Sequence, residues 1–184
     1  MNIENLDVKF FQSMAHSPIY NYAVAGITSS IIGMPSENGV VRLLHSEREH
    51  QESVTPHSHR FDFHCIVLRG NVKNRIWSKS YGSMQSDLYT ETQLIYAGSA
   101  GKYDKGESNN SRWNYCDYDY SAGQSYSMKA NEVHSIFFYR GALVLIFEGK
   151  TVSDKSVILE PISQGRTIPI LEVKPWMFQR AMPD

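Results

Sequence analysis

The 184-residue sequence predicts an all-β domain, an antiparallel sandwich or barrel. Short apolar runs rich in β-branched and aromatic residues follow one another from Tyr20 to Phe147, and turn-forming residues separate them at regular intervals. The chain shows neither an internal repeat nor a heptad pattern. The chain is long enough for one well-buried core and too short for two ordinary domains without a visible linker. We therefore expect one domain over residues 1–184.

The elements follow in chain order from the spacing of apolar residues. Residues 3–15 carry apolar side chains at helical spacing, which predicts a short N-terminal helix packed on the body. The polar stretch 98–111 predicts a long loop or a hairpin tip. Residues 161–184 are too apolar for a solvated end, so we expect a tail packed on the barrel or on a second subunit. The runs that predict strands are 23–32, 40–45, 57–69, 72–77, 89–96, 113–120, 126–128, 134–139 and 142–147.

Composition excludes several classes of partner. The formal net charge is -1 and the 18 basic residues are scattered, so the chain lacks the charge pattern of a nucleic-acid or membrane-surface protein. The acidic N-terminus and the lack of a long apolar stretch argue against a signal peptide or a membrane span. Two cysteines without a disulfide framework suit a reducing cytoplasm. We therefore expect a cytoplasmic protein whose partner is a small molecule.

Histidines cluster at the head of one predicted strand. Three of the seven histidines, His57, His59 and His64, lie within eight residues. Alternate side chains of a strand share a face, so His57 and His59 can direct imidazole nitrogens at one point. His134 begins a later apolar run, and two strands distant in sequence can bring it to the same point. The pattern indicates a metal site, and the plainer interpretation is surface histidines on a polar loop.

The first histidine segment resembles a motif of the cupin superfamily, the RmlC-like jelly-roll barrels that bind a metal. That motif has two histidines one residue apart, then three or four residues and a glutamate, and then six more residues before a glycine. His57 and His59 match the histidines, and Gly70 matches the glycine. Phe63 stands where the glutamate is expected, so the resemblance implies a site without that carboxylate.

The second segment resembles the other cupin motif, which runs from a glycine through a proline and a second glycine to a histidine. Gly123 and His134 keep its spacing, with Lys129 in place of the proline and Asn131 in place of the second glycine. Asn is the non-glycine residue that best tolerates a left-handed turn. The resemblance implies a double-stranded β-helix barrel with its motifs within 54–147 and an inserted loop or hairpin at about 78–120.

The resemblance also implies a chemistry. Three imidazoles with open coordination positions suit Fe(II) foremost, with Zn, Ni, Cu or Mn as alternatives, and without a carboxylate the site favours an anionic or chelating substrate. Cupins with three histidine ligands include cysteine dioxygenase and diketone-cleaving dioxygenases. We therefore expect an Fe(II) dioxygenase-like oxidoreductase acting on a small thiol, acid or diketone, with His57, His59 and His134 as ligands.

Four further side chains near the motifs are candidates. His64 can become a fourth ligand only if a bulge re-aims it, because alternation puts it on the opposite face. Arg60 could anchor a substrate carboxylate, and the alternative is an outward salt bridge with Asp62 or another carboxylate. Tyr126 and Tyr139 flank the second motif and could donate a hydrogen bond to substrate or O2, against simple barrel packing with the hydroxyl at the rim.

Other residues have plainer predictions. Cys65 has inward parity, and we expect a small buried hydrophobe rather than a reactive thiol. His16, His45 and His50 show no ligand spacing, so we expect solvated positions. The residues expected to wall the pocket are Phe61, Phe63, Val67 and Phe138.

Two other functions fit the same fold. The first is a non-catalytic small-molecule-binding cupin, and the second is a metal-free isomerase or epimerase with His59 or His134 as base and a tyrosine as acid. Barrels of this kind commonly form dimers, and with the apolar tail this makes a homodimer the expected assembly.

Overall fold

A computed structural model describes residues 15–19, 25–32, 39–49, 55–81, 86–96 and 103–162. Within these ranges the chain forms eleven β-strands and no helix. None of the described residues therefore belongs to a helix long and apolar enough to cross a membrane. The expected N-terminal helix at 3–15 lies outside the described residues except for Ala15, which begins a strand. The expected packed tail, from residue 163 onward, also lies outside them.

The strands follow the predicted order, and the all-β prediction is confirmed. They are β1 Ala15–Ile19, β2 Ile27–Ile32, β3 Val40–Ser46, β4 Phe61–Arg69, β5 Asn71–Lys79, β6 Asp87–Tyr96, β7 Tyr103–Ser121, β8 Ser125–Met128, β9 Val133–Phe138, β10 Leu143–Thr151 and β11 Lys155–Pro161.

Two antiparallel sheets face each other. One has the order β1-β2-β3-β10-β4-β8, and the other has the order β11-β6-β7-β5-β9. A single apolar cluster draws on strands of both sheets, which shows that it fills the space between them. This is the packed antiparallel arrangement of two sheets that the sequence predicts. Its buried members are Ile27, Leu44, Phe63, Cys65, Val67, Val72, Tyr126, Met128, Ile136, Phe138, Ala142 and Val144.

The glycine of the first motif makes the turn between β4 and β5. Gly70 has a φ of 70°, in the left-handed region that favours glycine. A Cβ atom at this position would also lie 3.1 Å from the backbone of Ala142. The motif therefore ends in glycine because of both the turn conformation and the close approach of the chain.

The segment that carries the histidines joins the two edges of the five-stranded sheet. The His57 N–H donates to the His134 carbonyl, and the His134 N–H donates to the His57 carbonyl, both at 2.9 Å, so the segment pairs with β9. On its other side the Leu159 N–H donates to the Pro56 carbonyl at 2.8 Å, so the segment also pairs with β11. Isolated bridges link His57 to both His134 and Ile158. A metal-ligand candidate is thereby held by backbone hydrogen bonds on both sides.

For the stretch 98–111, predicted as a long loop or a hairpin tip, the described residues 103–111 fit the hairpin and not the long loop, because β6 and β7 pair. Residues 103–111 belong to β7, which is 19 residues long and pairs with β6 and β5. Residues 107–110 are exposed polar side chains on both faces of the strand, so the sequence shows no apolar alternation there. Their strand conformation comes from backbone pairing with β6.

Candidate metal centre

Three histidines from two distant segments meet at one end of the barrel. His57 and His134 are direct cross-strand partners, so their side chains share a face. His59 lies two residues further along the same segment and therefore points the same way. The ligand-type nitrogens of His57, His59 and His134 all lie within 4.8 Å of one another. The structure thus brings together the three histidines that the sequence predicts.

The closest nitrogens have a separation that suits a shared metal ion. The Nε2 atoms of His59 and His134 are 2.9 Å apart. Two nitrogens bound at about 2.1 Å and at right angles on one metal would be about 3 Å apart. The ring centroids of the three imidazoles are 4.7, 5.1 and 5.2 Å apart, and the rings are tilted or edge-on rather than stacked. The rings therefore present their edges to a common centre.

Hydrogen bonds on the far side of two rings set their tautomers. The Nδ1–H of His57 donates to the Thr55 carbonyl at 2.9 Å, and the Nδ1–H of His134 donates to the Asn74 Oδ1 at 2.8 Å. A carbonyl oxygen can only accept, so each Nδ1 carries the proton and each Nε2 keeps a lone pair. Metal-binding histidines in proteins are oriented in this way by outer partners.

Burial keeps the three imidazoles neutral. Desolvation lowers the pKa of His57, and it lowers the pKa of His59 and His134 well below the ordinary histidine range. Repulsion from His57 lowers the pKa of both His59 and His134 further. Neutral imidazole is the form that binds a metal. The donor set therefore fits a divalent cation, which would bind at the Nε2 atoms of His59 and His134 in place of the hydrogen bond that now joins them.

An aromatic ring replaces the expected carboxylate beside the cluster. The Phe63 ring lies 4.9 Å from His59 and 5.5 Å from His134 between centroids. Phe61 lies 5.4 Å from His59. Within the described residues the metal-ligand group contains no acidic side chain. Val67 and Phe138, also expected as pocket walls, lie in the main apolar cluster.

Asn74 is the residue at the site that the sequence analysis missed. It lies on β5 between the buried Val72 and the partly buried Ile76, at the inward parity, and only 1% of its surface is exposed. Besides accepting from His134, its amide donates to the Met128 sulfur at 3.5 Å. A polar side chain at an inward position of an alternating strand is the signal that could have identified it.

His64 does not join the cluster. The pairing of β4 with β8 is regular from Phe63 to Ile66, so no bulge re-aims the side chain. His64 instead faces outward, where its Nδ1 lies 2.9 Å from the Ser127 hydroxyl. Alternation along β4 therefore decides its position.

Arg60 lies close to the site and has an aromatic partner. Its guanidinium lies over the Tyr96 ring, 4.2 Å from the centroid. The Asp62 carboxylate, offered above as its salt-bridge partner, binds the Lys129 ammonium and the Ala130 N–H, each at 2.8 Å. This pair also explains the lysine in place of the motif's proline, because Lys129 fixes the turn before β9 to β4.

The two candidate tyrosines differ in burial. Tyr126 is buried in the main apolar cluster, pairs with Cys65 across the sheet and lies beside Tyr120. Burial raises the pKa of the Tyr126 hydroxyl well above its ordinary range, and the adjacent thiol raises it further. Tyr139 is exposed just beyond the end of β9. Barrel packing therefore accounts for Tyr126.

Two remaining predictions have clear outcomes. Cys65 is fully buried, and burial raises the pKa of its thiol to about 12, so it is the inert hydrophobe expected. His45 is half-buried on β3 rather than solvated, and burial lowers its pKa.

An open cavity of about 390 Å³ adjoins the cluster at His59. It gives a small molecule access to the most exposed of the three imidazoles.

Comparisons with known proteins found similarity only among solved structures. No protein-family model matches the chain. No curated protein matches it either. KdgF from Halomonas sp. is 13% identical, over 74% of this chain and 89% of that one, with a TM-score of 0.41. An RmlC-like cupin from Shewanella frigidimarina is 12% identical, over 76% and 87%, with a TM-score of 0.40. The oxalate decarboxylase of Lactobacillus farciminis is 17% identical, over 82% and 36%, with a TM-score of 0.42.

Proposed function

We propose that this cupin-like protein is a metal-dependent oxidoreductase, an Fe(II) dioxygenase-like enzyme that acts on a small thiol, acid or diketone. One observation carries the proposal: three neutral imidazoles, two of them buried and the third partly buried, converge without a carboxylate. Three neutral ligands leave the full charge of a divalent ion and several coordination positions for a chelating substrate and O2.

The chain's own residues would hold and shield the reacting centre. His57, His59 and His134 would hold the ion, and bound iron would supply the redox chemistry with O2. Thr55 and Asn74 orient two of the rings before any ion arrives. Phe61 and Phe63 place apolar surface beside His59, which would exclude water from that side of the centre.

Metal analysis and oxygen consumption test the proposal. We expect protein purified without chelators to contain about one iron per chain. We expect the His59→Ala/His134→Ala double variant to contain none. His64→Ala is the matched control, because His64 is a partly buried histidine outside the cluster and its loss should leave the metal content unchanged.

The loaded protein should then consume O2 with at least one member of a panel of thiols, diketones and hydroxy acids. A wild-type chain that holds no metal would contradict the proposal. So would a loaded protein that consumes no O2 with any member of the panel.

The non-catalytic binding function remains the second candidate, and the position of the tyrosines favours it over an isomerase. Tyr126 packs in the main apolar cluster and Tyr139 is exposed beyond the end of β9, which supports structural roles for both rather than the role of an acid beside a histidine base. A binding protein would show a ligand-dependent rise in melting temperature without oxygen consumption.

A further inference from the structure

The cavity at His59 is built from four parts of the chain. These are the histidine segment with the start of β4, the turn before β9, the β10–β11 connection with the start of β11, and β6. Its volume of about 390 Å³ suits a small organic molecule. Because His59 lines the cavity and belongs to the cluster, a molecule bound here would reach the candidate metal position.

Most hydroxyl groups around the cavity are already committed to the fold. The Ser58 Oγ accepts from the Val157 N–H at 2.9 Å. The Ser156 hydroxyl lies 3.1 Å from the Tyr96 hydroxyl. The Ser153 hydroxyl donates to the Lys155 carbonyl at 2.9 Å. These serines therefore shape the wall and hold the β10–β11 connection, rather than offering donors to a ligand.

Three longer polar side chains in the wall remain available. Gln93, Asn131 and Lys155 line the cavity, and their side chains form no hydrogen bond or ion pair with the described part of the chain. Two of them are amides and the third is an ammonium group. Together they can donate hydrogen bonds to an oxygen-rich ligand.

The charges of the wall favour an anion. Asp62 and Lys129 also line the cavity, but they form an ion pair with each other at 2.8 Å and cancel. Lys155 is then the uncompensated charge among the described residues of the wall. A divalent ion on three neutral histidines would add positive charge at the His59 end.

We propose that this cavity binds a small acid with two anionic groups, one directed at the histidine cluster and the other at Lys155, with Gln93 and Asn131 donating to the same ligand. The contact with the histidine cluster rests on the proposed function, because it needs a bound metal ion, whereas the contact with Lys155 does not. The inference narrows the substrate class from thiols, diketones and acids to dicarboxylates and acids of like charge.

Calorimetric binding of succinate and butyrate tests this inference. The two probes have the same number of carbon atoms and differ in one carboxylate. Zinc-loaded protein is used because Zn(II) binds three histidines without redox turnover. We expect wild-type protein to bind succinate at least about fivefold more tightly than butyrate. This is the size expected for one solvent-screened ion pair between Lys155 and the second carboxylate.

The Lys155→Met variant should bind succinate and butyrate about equally. Lys155 is exposed, and methionine keeps most of its stem, so the melting temperature should not change. Lys150→Met is the matched control, because Lys150 is also exposed but does not line the cavity. Its preference for succinate should be that of wild type.

The outcomes separate the two proposals. Equal binding of both probes by wild type, or a preference that survives Lys155→Met, overturns the inference even if the protein binds metal and consumes O2. If the chain takes up no metal, the proposed function fails. If the metal-free protein still prefers succinate to butyrate and Lys155→Met abolishes that preference, the proposed contact between Lys155 and a carboxylate is supported.

Discussion

Replacing Asn74 by leucine tests how the third ligand is oriented. Leucine is of similar size, but it removes the oxygen that accepts the His134 Nδ1–H at 2.8 Å. Both residues are almost fully buried, Asn74 at 1% and His134 at 4% exposure, so water cannot replace the lost acceptor. A buried donor left without a partner costs about 1–3 kcal/mol.

The expected effect on metal binding follows from the same bond. The His134 ring would lose the contact that keeps its Nε2 lone pair directed at the cluster. Loss of such an outer partner typically weakens metal affinity by about 10- to 100-fold, which corresponds to about 1.4–2.7 kcal/mol. Competition with a chromophoric chelator measures the affinity, and urea unfolding of the metal-free protein measures stability separately.

Two variants make the result specific to the orientation of His134. Asn74→Asp keeps an acceptor at the same place and should retain wild-type affinity or exceed it. Thr92→Val removes a buried hydroxyl that lies 3.0 Å from the Ser108 hydroxyl, and neither residue belongs to the histidine cluster. This variant should change the free energy of unfolding but not the metal affinity. The reasoning is refuted if Asn74→Leu is less stable yet binds metal within about twofold of wild type.

Three other predictions concern the aromatic wall and the cysteines. Phe63→Glu should tighten metal binding by about tenfold or more, because the carboxylate would lie beside His59 and His134; unchanged affinity in the chelator competition would contradict this. Burial raises the pKa of the Cys65 thiol from 9.0 in the unfolded chain to about 12 in the folded protein. The neutral thiol therefore contributes fully to the free energy of unfolding below pH 9, and this contribution is lost as the pH rises toward 12. Between pH 8 and pH 10 the free energy of unfolding in urea should therefore fall by about 1.4 kcal/mol more for wild type than for Cys65→Val. Equal decreases in the two proteins would contradict this prediction. A thiol reagent should modify only Cys116 in the native protein and both cysteines in denaturant, and rapid reaction of both in the native protein would show that Cys65 is accessible.

The three-histidine cluster could be predicted because it depends on two simple regularities. Strand alternation puts His57 and His59 on one face, and motif spacing points to His134 as their partner. The same alternation put His64 on the opposite face, where the structure has it. Local geometry and a spaced motif were sufficient for these residues.

Asn74 and Lys129 could not be assigned in the same way. Asn74 meets His134 only because β5 and β9 pair in one register, with Ile76 opposite His134, and a single sequence does not specify that register. Lys129 is explained by Asp62, which is 67 residues away in the chain. Residues 107–110 of β7 carry polar side chains on both faces, so their strand depends on tertiary pairing alone.

The segment 56–58, held between β9 and β11, couples the metal centre to the completion of folding. His59 and His134 are 75 residues apart in the chain, and the strand that flanks the segment on its other side comes later still. Contacts of such long range form only after the intervening chain has been ordered, at a cost in loop entropy. Metal uptake would thus report a fully assembled barrel, and a bound ion would slow amide exchange at both sheet edges together.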